Sequence, residues 1–206
     1  MAKKTLGYGL ISVGWMGRVH SRGLSQVPER YPELGVAIRK VIAADTLESA
    51  RDNAVNLMGF EQATENYLDV INHPDVDIVS ICSPNFLHHE IAMAAIKEGK
   101  DFWIEKPMGR SEVESREIAE GAIAKGLMTA VGFNYRQSPA IAHARELVRG
   151  GKLGKIYNVE VKMIADYVND PEGAFTWRYV NEFAGSGVLG DLMSHGFDLA
   201  QYVVDD

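Results

Sequence analysis

The sequence predicts an α/β protein: a Rossmann-like parallel sheet with helices on both faces, followed by the beginning of an α+β substrate domain. Three observations carry this expectation. Short β-branched runs alternate with longer helix-patterned segments between Tyr8 and Phe133, as right-handed βαβ units require. The runs Val76–Ile81 and Lys40–Ala44 are near-continuous apolar strands, suited to a sheet covered on both faces. The first strand also ends in a glycine-bearing turn immediately ahead of a helix.

Taken in order, Tyr8 to Val13 reads as a strand and Trp15 to Gln26 as a helix. Val36–Ala44 and Leu47–Leu57 repeat the strand–helix unit, as do Asp77–Cys82 with Phe86–Glu98 and Asp101–Glu105 with Ser111–Lys125. Met128–Phe133 gives a fifth strand. Residues 1–135 thus read as one Rossmann-like α/β domain. Residues 136–206 have another texture. Pro139 to Arg149 reads as a helix stopped at Gly150-Gly151. Lys155 to Ile164 alternates Tyr157, Val159, Val161 and Met163 against Ile156, Asn158, Glu160 and Lys162, as a half-solvated antiparallel strand does. A polar loop from Asp166 to Glu182 and a helix over Val188–Val203 follow. One strand and two helices make too little for an α+β domain, so this stretch reads as the truncated first part of one, with the strand's partners beyond residue 206.

Composition narrows the function classes. The chain has 206 residues, 21 basic and 28 acidic, for a formal charge of −7. Its apolar fraction of 46% is that of a globular protein rather than a disordered one. An acidic chain without a basic block argues against nucleic-acid and anionic-membrane partners. One cysteine, Cys82, excludes an internal disulfide framework and a multi-cysteine zinc site, and reads as inert packing in an apolar strand. No apolar run reaches 18 residues, and Gly7, Gly9 and Gly14 interrupt the stretch that imitates a secretory signal. The expectation is a soluble, cytoplasmic protein.

The turn Ser12-Val13-Gly14-Trp15-Met16-Gly17 stands where a dinucleotide fingerprint G-x-G-x-x-G belongs, with Ser12 in place of its first glycine. Such a turn bends tightly, lets a pyrophosphate approach the backbone, and presents the amides of a helix N-terminus to it. A tight packing turn without a ligand fits the same residues. Asp45 ends the second strand and can accept both ribose hydroxyls of an adenosine while repelling a 2′-phosphate. It equally suits a helix cap before Leu47. Turn and acid together favour a bound nucleotide, but an S-adenosylmethionine enzyme uses the same pair.

Further along, Ser83-Pro84-Asn85-Phe86-Leu87-His88 ends the third strand and Glu105-Lys106-Pro107 the fourth. They are followed by Gly132-Phe133-Asn134-Tyr135-Arg136, Trp177-Arg178 and Gly185 to His195, where Asp191 precedes His195 by four positions. This ordered set resembles the Gfo/Idh/MocA family of NAD(P)-dependent oxidoreductases over residues 7–203, and within it the levoglucosan- and inositol-type sugar dehydrogenases. Ser12, and Met193 where glycine is common, depart from the family pattern.

The resemblance implies a hydride exchanged between the CH–OH group of a sugar or cyclitol and NAD, with NADP disfavoured by Asp45. It implies cofactor contacts from Ser12, Val13, Gly14, Trp15, Met16, Gly17, Asp45, Ser83, Pro84, Asn85, His88, Glu105 and Lys106. The catalytic residues it implies are Lys106 as polariser, His195 as acid/base and Asp191 as its orienter, the last two, four apart, on one face of the last helix. Tyr135, Arg136, Trp177 and Arg178 would line the substrate pocket. A small-molecule substrate and a homo-oligomeric full-length form are the expected partners. No metal is expected: His88-His89-Glu90 invites the reading, but Met93 stands where H-E-x-x-H needs its second histidine. Two alternatives stay open, a non-catalytic dinucleotide sensor of the same fold and a methyltransferase, although the latter gives no use for Lys106, Asp191 and His195.

Overall fold

The computed structural model describes residues 4–166 and 170–204. It divides into two units, one ending at Val131 and the other starting at Gly132. The first unit is built on six strands: β1 (Lys4–Ile11), β2 (Val36–Ala44), β3 (Gln62–Thr64), β4 (Ile78–Ile81), β5 (Asp101–Ile104) and β6 (Thr129–Val131). They pair in the order β3-β2-β1-β4-β5-β6, every pair parallel. Five helices connect them: α1 (Trp15–Arg30), α2 (Glu48–Asn56), α3 (Tyr67–Ile71), α4 (Asn85–Lys97) and α5 (Glu112–Lys125). The strand order reverses between β1 and β4, and doubly wound sheets bind ligands at the carboxyl end of such a switch point.

Strand alternation sorts the core onto two faces. Tyr8 and Leu10 of β1 pack with Val13, Ala43, Ala54 and Phe60 on the side of α1 and α2. Val79 and Ile81 of β4, and Phe102 and Ile104 of β5, pack with Ile91, Ala92 and Ala95 of α4 and Ile118 of α5 on the other. Fully burying such a side chain stabilises the fold by roughly 1.5–3 kcal/mol. On the α1 side, β4 and β5 present Ser80 and Trp103 instead, and there the face turns polar. Helix α1 covers it with a buried stripe of Gly17, His20 and Ser21.

Of these strands and helices of the first unit, β3 and α3 lie outside the expected set. β3 and α3 hold three and five residues, too few for periodicity to register. Asn66 nevertheless caps α3 by accepting the Leu68 amide at 3.0 Å. Helix α1 also runs to Arg30 rather than Gln26. Pro28 is tolerated there because it lies in the last turn and removes a single helical hydrogen bond.

In the second unit, α6 (Pro139–Arg149) packs on α8 (Ser194–Val204), and α7 (Asn181–Ala184) is a single turn. The expected strand Lys155–Ile164 is not one: it carries no assigned secondary structure and joins no sheet. A ladder needs a neighbouring strand, and among the described residues the second unit has none. Its sidedness is nonetheless partly right, since Val161 and Met163 lie against Gly196 of α8. In the expected loop 166–182, residues 167–169 lie outside the described residues, and Trp177–Tyr179 forms a 3₁₀ turn. Among the described residues no helix is long and apolar enough to cross a membrane.

Candidate active site

The carboxyl edge of the sheet gathers the candidate residues of the first unit. The chain leaves β1 through Ser12, whose φ of 73° is left-handed backbone. This is the conformation glycine adopts without cost, which explains the family preference at this position. Ser12 is anchored there by its amide, which donates to the Ala44 carbonyl at 2.8 Å. The two glycines then differ in kind. A Cβ on Gly17 would lie 2.1 Å from the Ser12 carbonyl oxygen, so Gly17 serves the packing of α1 against the turn. A Cβ on Gly14 would meet only the Ser12 hydroxyl, at 3.8 Å. The fold therefore leaves Gly14 open, as a close-approaching pyrophosphate requires. Met16 is half-buried, and Trp15 begins α1 with 78% of its surface exposed.

Asp45 closes the edge beside this turn. Its Oδ2 accepts the Val13 amide at 2.8 Å and its Oδ1 the Leu47 amide at 3.0 Å. The carboxylate thus braces the phosphate turn and starts the approach to α2 at once. Across the switch point, Ser83 and Asn85 are buried, with Pro84 half-buried at the mouth of α4. Among the described residues the buried Ser83 hydroxyl has no hydrogen-bond partner. A polar atom orphaned beside an open glycine cradle fits a polar ligand at this edge, and a dinucleotide supplies both the phosphate and the hydroxyl groups to meet it.

His88, expected beside a nicotinamide ribose, faces inward instead. It is 1% exposed, with Nδ1 2.8 Å from the Pro107 carbonyl and Nε2 2.8 Å from the Ser83 carbonyl. Burial lowers its pKa, and the two carbonyls oppose that shift without reversing it. The histidine therefore lies between the chain beyond β4 and the Glu105-Lys106-Pro107 turn, and its neutral ring donates its one N–H to one of the two carbonyls. Lys106 itself is half-buried at the end of β5. Glu105 is buried, and its Oε1 lies 2.8 Å from Nε2 of His20. His20 is the residue that sequence reasoning missed. The available signal was a histidine on the apolar stripe of α1, three residues after Gly17. Burial pushes the Cys82 thiol well above its ordinary range, in keeping with inert packing.

In the second unit, His195 lies in the first turn of α8 and is buried. Tyr135 meets its ring edge-on at 4.8 Å, and Phe133 does so at 5.9 Å. The expected regular helix from Val188 is interrupted, because Leu189–Met193 winds as a π-helix before α8 begins. Asp191 and His195 therefore stand on either side of a change of winding, not on one face of a uniform helix. Such π segments occur often at functional sites. Arg136 is committed to Asp198 of α8: Nε donates to Oδ2 at 2.8 Å, Nη2 donates to Oδ1, and these bonds raise its pKa further. Arg178 is exposed and lies over the ring of half-buried Trp177 at 4.5 Å.

Comparison with known proteins places this arrangement. The model of the oxidoreductase family with an NAD-binding Rossmann fold matches residues 6–133, and that of the GFO/IDH/MocA C-terminal domain matches residues 141–206. The chain belongs to the Gfo/Idh/MocA oxidoreductase family. It is 37% identical to levoglucosan dehydrogenase of Pseudarthrobacter phenanthrenivorans over 98% of its own length and 52% of that protein's. Against scyllo-inositol 2-dehydrogenase (NAD(+)) of Bacillus subtilis the identity is 26%, over 95% and 53%. A solved levoglucosan dehydrogenase in complex with NADH and levoglucosan superposes with a TM-score of 0.88 at 32% identity, over 98% of this chain and 55% of the other. The chain spans about half the length of the curated relatives it matches. Membership in an oxidoreductase family decides against the methyltransferase alternative.

Proposed function

We propose that this chain is the nucleotide-binding part of an NAD-dependent dehydrogenase acting on the CH–OH group of a sugar or cyclitol. The observation that carries the reading is the gathering of an open Gly14 cradle, Asp45, the Ser83 hydroxyl and Lys106 along one carboxyl edge of the sheet. The turn 12–17 would hold the pyrophosphate, Asp45 the adenosine ribose, and Ser83 to Asn85 the nicotinamide half. NAD supplies the hydride acceptor when bound. Lys106 holds the substrate oxygen and stabilises negative charge developing on it. His195 takes the hydroxyl proton as a neutral imidazole, with Asp191 as its orienter. Tyr135, against His195, and the Trp177–Arg178 pair contribute to substrate selection, whereas Arg136 supports α8.

The likeness to levoglucosan and inositol dehydrogenases supports this substrate class. We place the protein in the cytoplasm, where a lone half-buried thiol stays reduced. Exposed Tyr157, Ile164 and Phe175 support assembly of the full-length form into a homo-oligomer. The test has two arms. Energy transfer from tryptophan to added NADH reports cofactor binding, and turnover of levoglucosan, scyllo-inositol and myo-inositol with NAD reports the reaction. His195→Ala should lower turnover roughly 10²–10⁴-fold. Transfer without turnover of any polyol by the full-length protein would favour the sensor instead.

A further inference from the structure

We propose that His20 is a positioning residue for Lys106, acting through the Glu105 carboxylate, and that His88 completes the hold from the other side. The inference rests on Lys106 serving the reaction proposed above. Ser80, Trp103 and Glu105 belong to the face of β4 and β5 that α1 covers, where apolar side chains would be expected. Instead His20, 3% exposed, stacks on the Trp103 ring at a centroid distance of 4.2 Å, with Nδ1 3.1 Å from the Ser80 hydroxyl and Nε2 2.8 Å from Glu105. A carboxylate only accepts, so Nε2 carries the proton, and in the neutral ring Nδ1 accepts from Ser80.

Serine, histidine and acid in series suggest a nucleophile, but the geometry denies it. Ser80 is 1% exposed in the middle of β4, where no substrate carbonyl reaches it. The chain of bonds has one chemical consequence left. It gives a buried carboxylate a hydrogen-bond donor, and so fixes where Glu105 sits. Successive residues leave a strand on opposite sides, so pinning Glu105 under α1 sets the backbone from which Lys106 departs. His88 pins the next residue by its contact with the Pro107 carbonyl. Both sequence neighbours of Lys106 are thus held by buried imidazoles from different helices. A displacement of about 1 Å at a reacting group can cost around 10²-fold in rate, which is reason enough for such bracing.

The test measures Lys106 directly. Limited labelling by trinitrobenzenesulfonate, read by peptide mass spectrometry, gives the reactivity of Lys106 relative to exposed Lys125 of α5. His20→Leu should change that ratio, while His20→Gln, which can still donate to Glu105 and accept from Ser80, should restore it. With levoglucosan and NAD, His20→Leu should lower kcat by about 10²-fold with little change in KM for NAD. In a Glu105→Leu background, which leaves the imidazole no acceptor, His20→Leu should have no further effect on Lys106. An unchanged ratio in folded His20→Leu, or an undiminished effect in the Glu105→Leu background, overturns the proposal. If His20→Leu does not fold, His20→Phe, which keeps the stacking on Trp103 but has no N–H for Glu105, takes its place in the same comparison. The labelling arm needs no turnover, so a full-length protein inactive on every polyol refutes the dehydrogenase reading and leaves this one separately decided.

Discussion

Ser12 and Asp45 show how much single residues carry at the sheet edge. Ser12 holds a left-handed backbone that costs an L-residue roughly 1–2 kcal/mol. Ser12→Gly should relieve that cost, less the freedom glycine adds to the unfolded chain, for a net stabilisation of up to about 1 kcal/mol. Denaturant midpoints check it, and an unchanged or lower midpoint contradicts the strain argument. Asp45 would crowd and repel a 2′-phosphate, so the wild type should bind NAD more tightly than NADP. Asp45→Ser should erode that preference. Dissociation constants for both cofactors measure it, and equal discrimination in the two proteins removes Asp45 from the specificity. Asp45 also shows the reach of sequence reading. Its place at the end of β2 was legible, but its bond to the Val13 amide was not, because 32 residues separate them. His20 and Glu105, 85 apart, escaped for the same reason: pairing across that span is decided by the order of the sheet.

At the scale of elements, the turn between β1 and α1 separates two uses of glycine. Gly17→Ala would drive a methyl into the Ser12 carbonyl and force α1 away from β1. It should destabilise the fold by about 1–3 kcal/mol, the usual cost of overpacking. Gly14→Ala meets open space at an extended φ of −64°, ψ of −166°, and should leave stability nearly unchanged while weakening NADH binding. Melting curves beside NADH titrations separate the two, and loss of stability in both variants would make the turn a packing device alone. Apart from the short β3 and α3, the strands and helices of the first unit were legible because apolar runs and helical stripes are local patterns. The segment 155–164 was misread for a related reason: alternation reports which residues face a surface, as Val161 and Met163 do, but not whether a second strand lies alongside. The π winding at Leu189–Met193 has no local mark at all.

For the molecule as a whole, His88 links stability to pH. Burial depresses its folded pKa, so below about pH 6.5 the unfolded chain takes up a proton that the native state resists. The native state should therefore lose stability as pH falls below that point and regain it above. His88→Gln removes this term, and its Tm should vary less steeply from pH 7 down to 5 than the wild type's. Parallel slopes would show that His88 titrates alike in both states.

Helix α1 ends the account with a limit on modularity. Its first turn shapes the phosphate loop, and its second delivers His20 to Glu105. A dinucleotide loop transplanted from another Rossmann protein, helix included, would bring an arbitrary side chain to that spot. The acceptor protein would keep its glycines and gain a stranded carboxylate next to its lysine. Exchange of such cassettes in this chain has to stop at Gly17 or carry the histidine along.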